Sequence, residues 1–285
     1  MIKIGIRQGI FAATDGGDSG GGTSSAGYRY SPTPTMAPGS AGSAGPGTTG
    51  VAATGTNPLL AAPGAPLSPA ACRYPKWGTD VSTARAFFES TATCLAAEWK
   101  PVLAKHNLPF VPPKLSVTAS TAGISTPCTG NSTNFAAFYC SADQTIYIPI
   151  SQLQTDLIGD KWEVYVSVFA HEYGHHIQAL AGILGAANRQ RAESARSTSL
   201  EISRRIELQA QCLDGMHIAS SAGAKSLSAP QVSEAKQDAY ERGDSGRDMR
   251  DHGTTQHSGQ WWDTGFGKDN TAQCNTFIAP AGQVS

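Results

Sequence analysis

The sequence predicts a helix-rich α+β domain with little sheet, preceded by a disordered N-terminal segment. Three observations carry the prediction. Apolar residues recur at helical spacing along several long segments, strand-like patterning is confined to two short ones, and roughly the first 70 residues are almost without charge.

From Ser19 to Cys72 the only charged side chain is Arg29, and most of the rest is Gly, Ser, Thr, Ala and Pro. Such a stretch buries too little apolar surface to offset the entropy of ordering it. Residues 1–70 are therefore expected to form a flexible linker, and residues 71–285 one domain with a sizeable core. Thr79 or Asp80 should cap a helix whose apolar face runs through Val81, Ala84, Phe87, Phe88, Cys94, Leu95 and Trp99. Pro101 should end or kink it. The stretch "PPKLSVTAS" predicts a strand near Leu115–Ala119. In "FYCSADQTIYIPIS" a turn at Ser141–Gln144 precedes a second strand, Thr145–Ile150. Pro149 has no amide hydrogen to donate, which places that strand at a sheet edge. Asp160 with Glu163 three residues on is a capping-box pattern. It opens a helix with Trp162, Tyr165, Val168, Phe169, Leu180 and Ile183 on its apolar face. "NRQRAESARS" reads as a polar surface link before a long helix over about Thr198–Ser221. Pro230 suits the start of a shorter helix. A last helix begins near Thr254, although Gly259 disfavours it.

A net charge of −1 gives no electrostatic case for nucleic acid or an anionic membrane surface, and no segment reads as a membrane span. The six cysteines, Cys72, Cys94, Cys128, Cys140, Cys212 and Cys274, all follow the linker and include no C-x-x-C pair. That argues against a thiolate zinc knot or a redox motif. An even count in one domain suggests three disulfides and an oxidising, extracytoplasmic compartment, secreted or at the cell surface. Sequential pairing is expected: Cys72 with Cys94, Cys128 with Cys140, and Cys212 with Cys274. The opening "MIKIGIRQGIFAATDGG" is too short and too interrupted, by Arg7, Gln8 and Gly9, for a signal peptide. Export would then require a start upstream of Met1, with a signal or anchor there.

Three of the seven histidines fall within "FAHEYGHHIQ", residues 169–178. His171 and His175 are four apart, so on a helix their imidazoles lie on one face. Glu172 can reach a water at an ion held between them. The pattern H-E-x-x-H thus supplies two zinc ligands and a general base from one helical turn. Neutral imidazoles hold the ion without cancelling its charge, which lowers the pKa of bound water to about 7. A carboxylate then takes the proton as the water attacks a carbonyl. His176 faces about 100° from His175 and suits a supporting or packing role instead. A catalytic zinc usually takes a third protein ligand. Glu207 in "RRIELQAQC" has Ile206, Leu208 and Leu213 around it, where a carboxylate needs a partner or a metal. Glu201, Asp214 and His217 fit the spacing as well, and an exposed Glu207 paired with Arg204 is a further alternative.

Five blocks occur in order: "FYCSADQTIYI", "AHEYGHHIQ", "RIELQAQCLDG", "HGTTQHSGQWWDTGF" and "AQCNTF". Together they resemble the bacterial "putative neutral zinc metallopeptidase" family, whose typical blocks read FYCPADQ, AHEVGHHVQ, RLELQADC, HGTSAQR and CNTF. The similarity runs from about Cys72 to Phe277. The resemblance implies a zincin-like fold, with a small sheet beside the active-site helix and further helices behind it. It also implies gluzincin-like chemistry, with His171, His175 and Glu207 as ligands of one zinc ion per chain and Glu172 as general base.

The chain departs from the family at two places. Gln211 stands where the family has an aspartate four residues after the ligand glutamate. It can accept a hydrogen bond from an imidazole but adds no charge, and losing such a carboxylate costs about 10–100-fold in metal affinity or activity. Ser258 and Gly259 stand near the place of the family's usual arginine. His252, away from the metal helix, can donate to the oxyanion of a tetrahedral intermediate or brace the last helix, and Tyr240 is another candidate for that donor. The expected activity is zinc-dependent hydrolysis of a peptide or protein substrate laid along the edge strand near Thr145–Ile150. The alternatives are a surface-binding module that keeps the fold without cleaving, and a zinc hydrolase of a non-peptide amide or ester.

Overall fold

The structure is a computed structural model that describes residues 54–244 and 250–285. Its elements are α1 (Val81–Lys105), β1 (Lys114–Thr118), β2 (Phe138–Cys140), β3 (Thr145–Pro149), α2 (Thr155–Ile158), α3 (Trp162–Leu180), α4 (Ile183–Ala192), α5 (Arg196–Gly223), α6 (Ala229–Ala239) and α7 (Thr255–Lys268). The expected linker over residues 1–53 lies outside the described residues. The rest of that stretch, 54–70, is packed against the domain. Leu59, Leu60 and Leu67 are buried, Asn57 Nδ2 donates to the Ala181 carbonyl, and Asn275 Nδ2 donates to the Gly55 carbonyl. Low charge concealed these apolar anchors, so the domain starts before residue 71.

Asp80 caps α1, its Oδ1 accepting the Thr83 N–H at 2.9 Å. The helix runs through Pro101 instead of ending there, because Val102 and Leu103 beyond the proline are buried and hold the last turn to the core. The sheet has the order β1–β3–β2, with β1 parallel to β3 and β2 antiparallel to it. The strand expected at an edge is therefore the central one. Pro149 sits at its last position, where the missing N–H interrupts little of the ladder. Every residue of β3 is buried: Ile146 and Ile148 join the main core, and Tyr147 joins Phe135, Phe138 and Cys140 in a smaller cluster on the other side. A strand covered on both faces belongs in the middle.

Helix α3 begins at Trp162 after Lys161, with no side-chain cap, so the capping box expected from Asp160 and Glu163 does not form. It is buried along almost its whole length, between α1, α5, α6 and β2. Much of the expected surface link instead continues α4, whose Ile183, Leu184 and Ala187 are buried. Thr254 caps α7, its hydroxyl accepting the His257 N–H at 3.2 Å, and α7 packs on α5. The three disulfides pair sequentially, as expected: Cys72–Cys94, Cys128–Cys140 and Cys212–Cys274. The first ties the segment before α1 to that helix, the second ties the loop before β2 to its end, and the third ties α5 to the C-terminal region.

Candidate metal centre

One turn of α3 sets His171 and His175 on the same face, their rings 4.8 Å apart between centroids and perpendicular. That face meets α5 at a close crossing. Gly174 permits it, since a Cβ there would lie 3.2 Å from the Ala210 carbonyl oxygen. The approach brings Glu207 Oε2 to 3.3 Å from His171 Nε2 and 3.3 Å from His175 Nε2. All three residues are buried, at 3%, 3% and 4% exposure, so the carboxylate has exchanged water for two imidazoles.

Glu172 sits beside this cluster, fully buried. Its Oε2 accepts the backbone N–H of Tyr139 in β2 at 2.9 Å, while the buried Oε1 has no partner among the described residues. Burial pushes the Glu172 carboxyl up to about 8. Positive charge beside it would restore the ionised form. Among the described residues His175 Nε2 also lacks a hydrogen-bond partner despite its 3.3 Å approach to Glu207. Two imidazole nitrogens and a carboxylate oxygen, lying within 4.8 Å of one another with buried polar atoms left over, form a donor set suited to zinc. The residues present fit the ion.

The rival third ligands lie elsewhere. Glu201 pairs with Arg205 at 2.8 Å, Asp214 accepts from Ser167 at 2.7 Å, and His217 pairs with Glu98 at 2.6 Å in a buried network with Tyr74 and Ser220. Arg204 donates to the Val284 and Arg250 carbonyls and leaves Glu207 alone. His176 lies 3.1 Å from the Tyr139 hydroxyl and 2.6 Å from the Val111 carbonyl, which fastens α3 to β2 and to the loop before β1.

His252 reaches the same region from the loop before α7. Its Nδ1 lies 2.9 Å from Asp251 and 3.4 Å from Asp244, and its buried Nε2 has no partner among the described residues. Burial alone would lower this imidazole, but Asp244 and Asp251 hold it well above its usual range, and Glu207 adds to the effect. Tyr240 points away, its hydroxyl donating to Asp263 at 2.8 Å.

Two residues at the centre were not singled out from the sequence. Gln178 Oε1 lies 2.9 Å from His175 Nδ1. Arg242 is buried behind Gln211, whose Oε1 lies 2.9 Å from His171 Nδ1. Gln178 is legible as the last letter of "FAHEYGHHIQ", three residues past a ligand histidine. Nothing in the pattern around Arg242 distinguishes it from a surface arginine.

Residues 78–277 match the family described as "Putative neutral zinc metallopeptidase". The chain is 33% identical over 165 residues to the "Uncharacterized protein YpfJ" of Escherichia coli (strain K12), covering 53% of this chain and 58% of that protein. It is 28% identical over 214 residues to the "Uncharacterized protein Rv2575" of Mycobacterium tuberculosis, covering 67% of this chain and 69% of the other. The chain thus spans less than two thirds of its Escherichia coli relative. No solved structure matches.

Proposed function

Because the chain belongs to the "Putative neutral zinc metallopeptidase" family, we propose that it hydrolyses peptide bonds, with one zinc ion held by His171, His175 and Glu207. Zinc bound there would polarise a carbonyl and lower the pKa of a nearby water to about 7. Glu172 is the general base. Its Oε2 is fixed by the Tyr139 N–H, which leaves Oε1 to take a proton from the attacking water and pass it to the departing amine. His252, kept cationic by Asp251 and Asp244, offers its free Nε2–H to the developing oxyanion.

The substrate strand runs along β2 rather than β3. Tyr139 turns its N–H away from β3 toward Glu172, and in an antiparallel ladder its carbonyl points the same way. That carbonyl is the acceptor offered to a peptide N–H. Three disulfides suit an extracytoplasmic setting, and among the described residues no helix is long and apolar enough to cross a membrane.

The observation that carries this reading is the buried Glu207 carboxylate between two histidine Nε2 atoms, next to a carboxylate with one free oxygen. The test is metal analysis and chelator-sensitive cleavage of a broad peptide library by the wild type, Glu172→Gln and Glu207→Ala. Wild type and Glu172→Gln are expected to carry one zinc, with cleavage by Glu172→Gln reduced about 100–10,000-fold. Glu207→Ala is expected to lose the metal. An active Glu172→Gln variant would overturn the mechanism. Gln211 in place of an aspartate favours a second reading, a zinc-holding module that does not cleave. Stoichiometric zinc in a wild type that cleaves no peptide would establish it.

A further inference from the structure

Each candidate ligand histidine turns its second ring nitrogen to a glutamine, and neither glutamine can reverse its amide. Gln178 Nε2 donates to the Ile206 backbone carbonyl at 2.8 Å and to Gln209 Oε1 at 3.0 Å. A carbonyl oxygen only accepts, so the nitrogen of Gln178 must face Ile206 and its oxygen must face His175. Gln209 is fixed in the same sense, because its own Nε2 donates to the Cys274 carbonyl at 3.1 Å. Gln178 Oε1, 2.9 Å from His175 Nδ1, can only accept as well, so Nδ1 carries a proton and Nε2, beside Glu207, is the nitrogen left for an ion.

The arrangement at His171 is parallel. Its Nδ1 lies 2.9 Å from Gln211 Oε1, and Arg242 approaches the same oxygen at 3.5 Å. A guanidinium only donates, so it excludes the flipped amide that would present an NH2 group. Arg242 is itself pinned, by Asp238, by Asp214 at 3.3 Å and by the Ser167 hydroxyl at 2.9 Å.

We propose that Gln178 is a positioning residue of the metal centre, and that Arg242 is a second one acting through Gln211. Together they fix both imidazoles with the proton on Nδ1, so the nitrogen each gives to an ion is Nε2, the atom beside Glu207. The inference rests on His171, His175 and Glu207 being the metal ligands and is independent of whether the protein cleaves peptides. Such outer partners orient a ligand by fixing its tautomer.

The test uses the full chain in two measurements. In protein with isotope-labelled histidine and an NMR-active cadmium isotope, metal–nitrogen coupling is expected at Nε2 of both His171 and His175. Coupling at Nδ1 of either overturns the proposal, whatever the peptidase assay shows. Zinc affinity is then read by competition with a chelating dye for Gln178→Met and Gln178→Glu. Both variants lose the bonds to Ile206 and Gln209, but only Gln178→Glu keeps an acceptor for His175. Gln178→Met is expected to bind about 10–100-fold more weakly, with Gln178→Glu recovering much of the loss. Equal affinity of the two variants, or wild-type affinity in a folded Gln178→Met, overturns it. Should Gln178→Met fail to fold, the cadmium coupling in the wild type decides.

Discussion

Gln211 stands where the resemblance to the family implies an aspartate. Its oxygen serves His171, while its buried Nε2 has no partner among the described residues. The side chain orients the imidazole but brings no charge to it. An aspartate would set a carboxylate between His171 and Arg242, raising the basicity of the ligand. Gln211→Asp is therefore expected to tighten zinc binding or speed turnover about 10–100-fold, by dye competition and steady-state kinetics. If both stay unchanged, charge at this position is irrelevant. The contribution proposed for His252 would be separable, since it approaches Glu207 from another element with its own acidic partners. His252→Ala is expected to lower kcat about 100–1,000-fold while zinc content stays at one per chain. A variant that loses zinc instead would make His252 part of the metal's support. At this scale the sequence was legible wherever spacing along one helix sufficed. His171, Glu172 and His175 follow from helical geometry, and the turn of His176 away from that pair, toward Tyr139 and Val111, follows from the same 100° step. Arg242 was illegible because its role depends on what lies across from it.

Between elements, the packing of α5 on α7 is set by reciprocal glycines. A Cβ on Gly265 would lie 1.9 Å from the Cys212 carbonyl oxygen, and one on Gly215 would lie 2.2 Å from the Trp262 carbonyl oxygen. Each helix therefore meets the other's backbone. Gly265→Ala is expected to cost at least about 1–3 kcal/mol through overpacking, seen as a lower denaturant midpoint with an unchanged slope. A midpoint equal to the wild type would mean that the helices can separate at little cost. The glycines of α7 count against a helix by intrinsic propensity, yet the helix forms because close contact repays the loss. The misplaced edge strand has a similar origin. Pro149 disfavours an interior strand, but the burial of all five β3 residues outweighs one missing donor at the strand's end.

For the whole molecule, the segment over 54–70 is part of the core that holds the centre in place. Leu59, Leu60 and Leu67 are 0%, 3% and 1% exposed, and burying each contributes about 1.5–3 kcal/mol. Total stabilities run to only about 5–15 kcal/mol. A chain beginning at Ala71, which keeps all six cysteines, is expected to unfold at a markedly lower temperature than the full chain, by calorimetry at matched zinc. Equal melting temperatures would show that the segment is held by the domain without stabilising it. Zinc should add its own increment, about 4 kcal/mol at a thousandfold excess over Kd.

The sequence by itself determined what depends on short separations along the chain. It placed the histidine pair and Glu172 on one helical turn, fixed the approximate extent of most helices, and made sequential disulfides a reasonable expectation. Spacing left Glu207, Glu201, Asp214 and His217 open and the family resemblance implied Glu207; the tertiary structure brings that residue beside the histidines, because α3 crosses α5 there. Strand order, the inclusion of residues 54–70 and Gln178 as the partner of His175 were decided by the tertiary structure alone. The physical reason is common to all of them. Local periodicity says which face of an element is apolar, whereas a buried polar group is placed by the partner it finds across the interface.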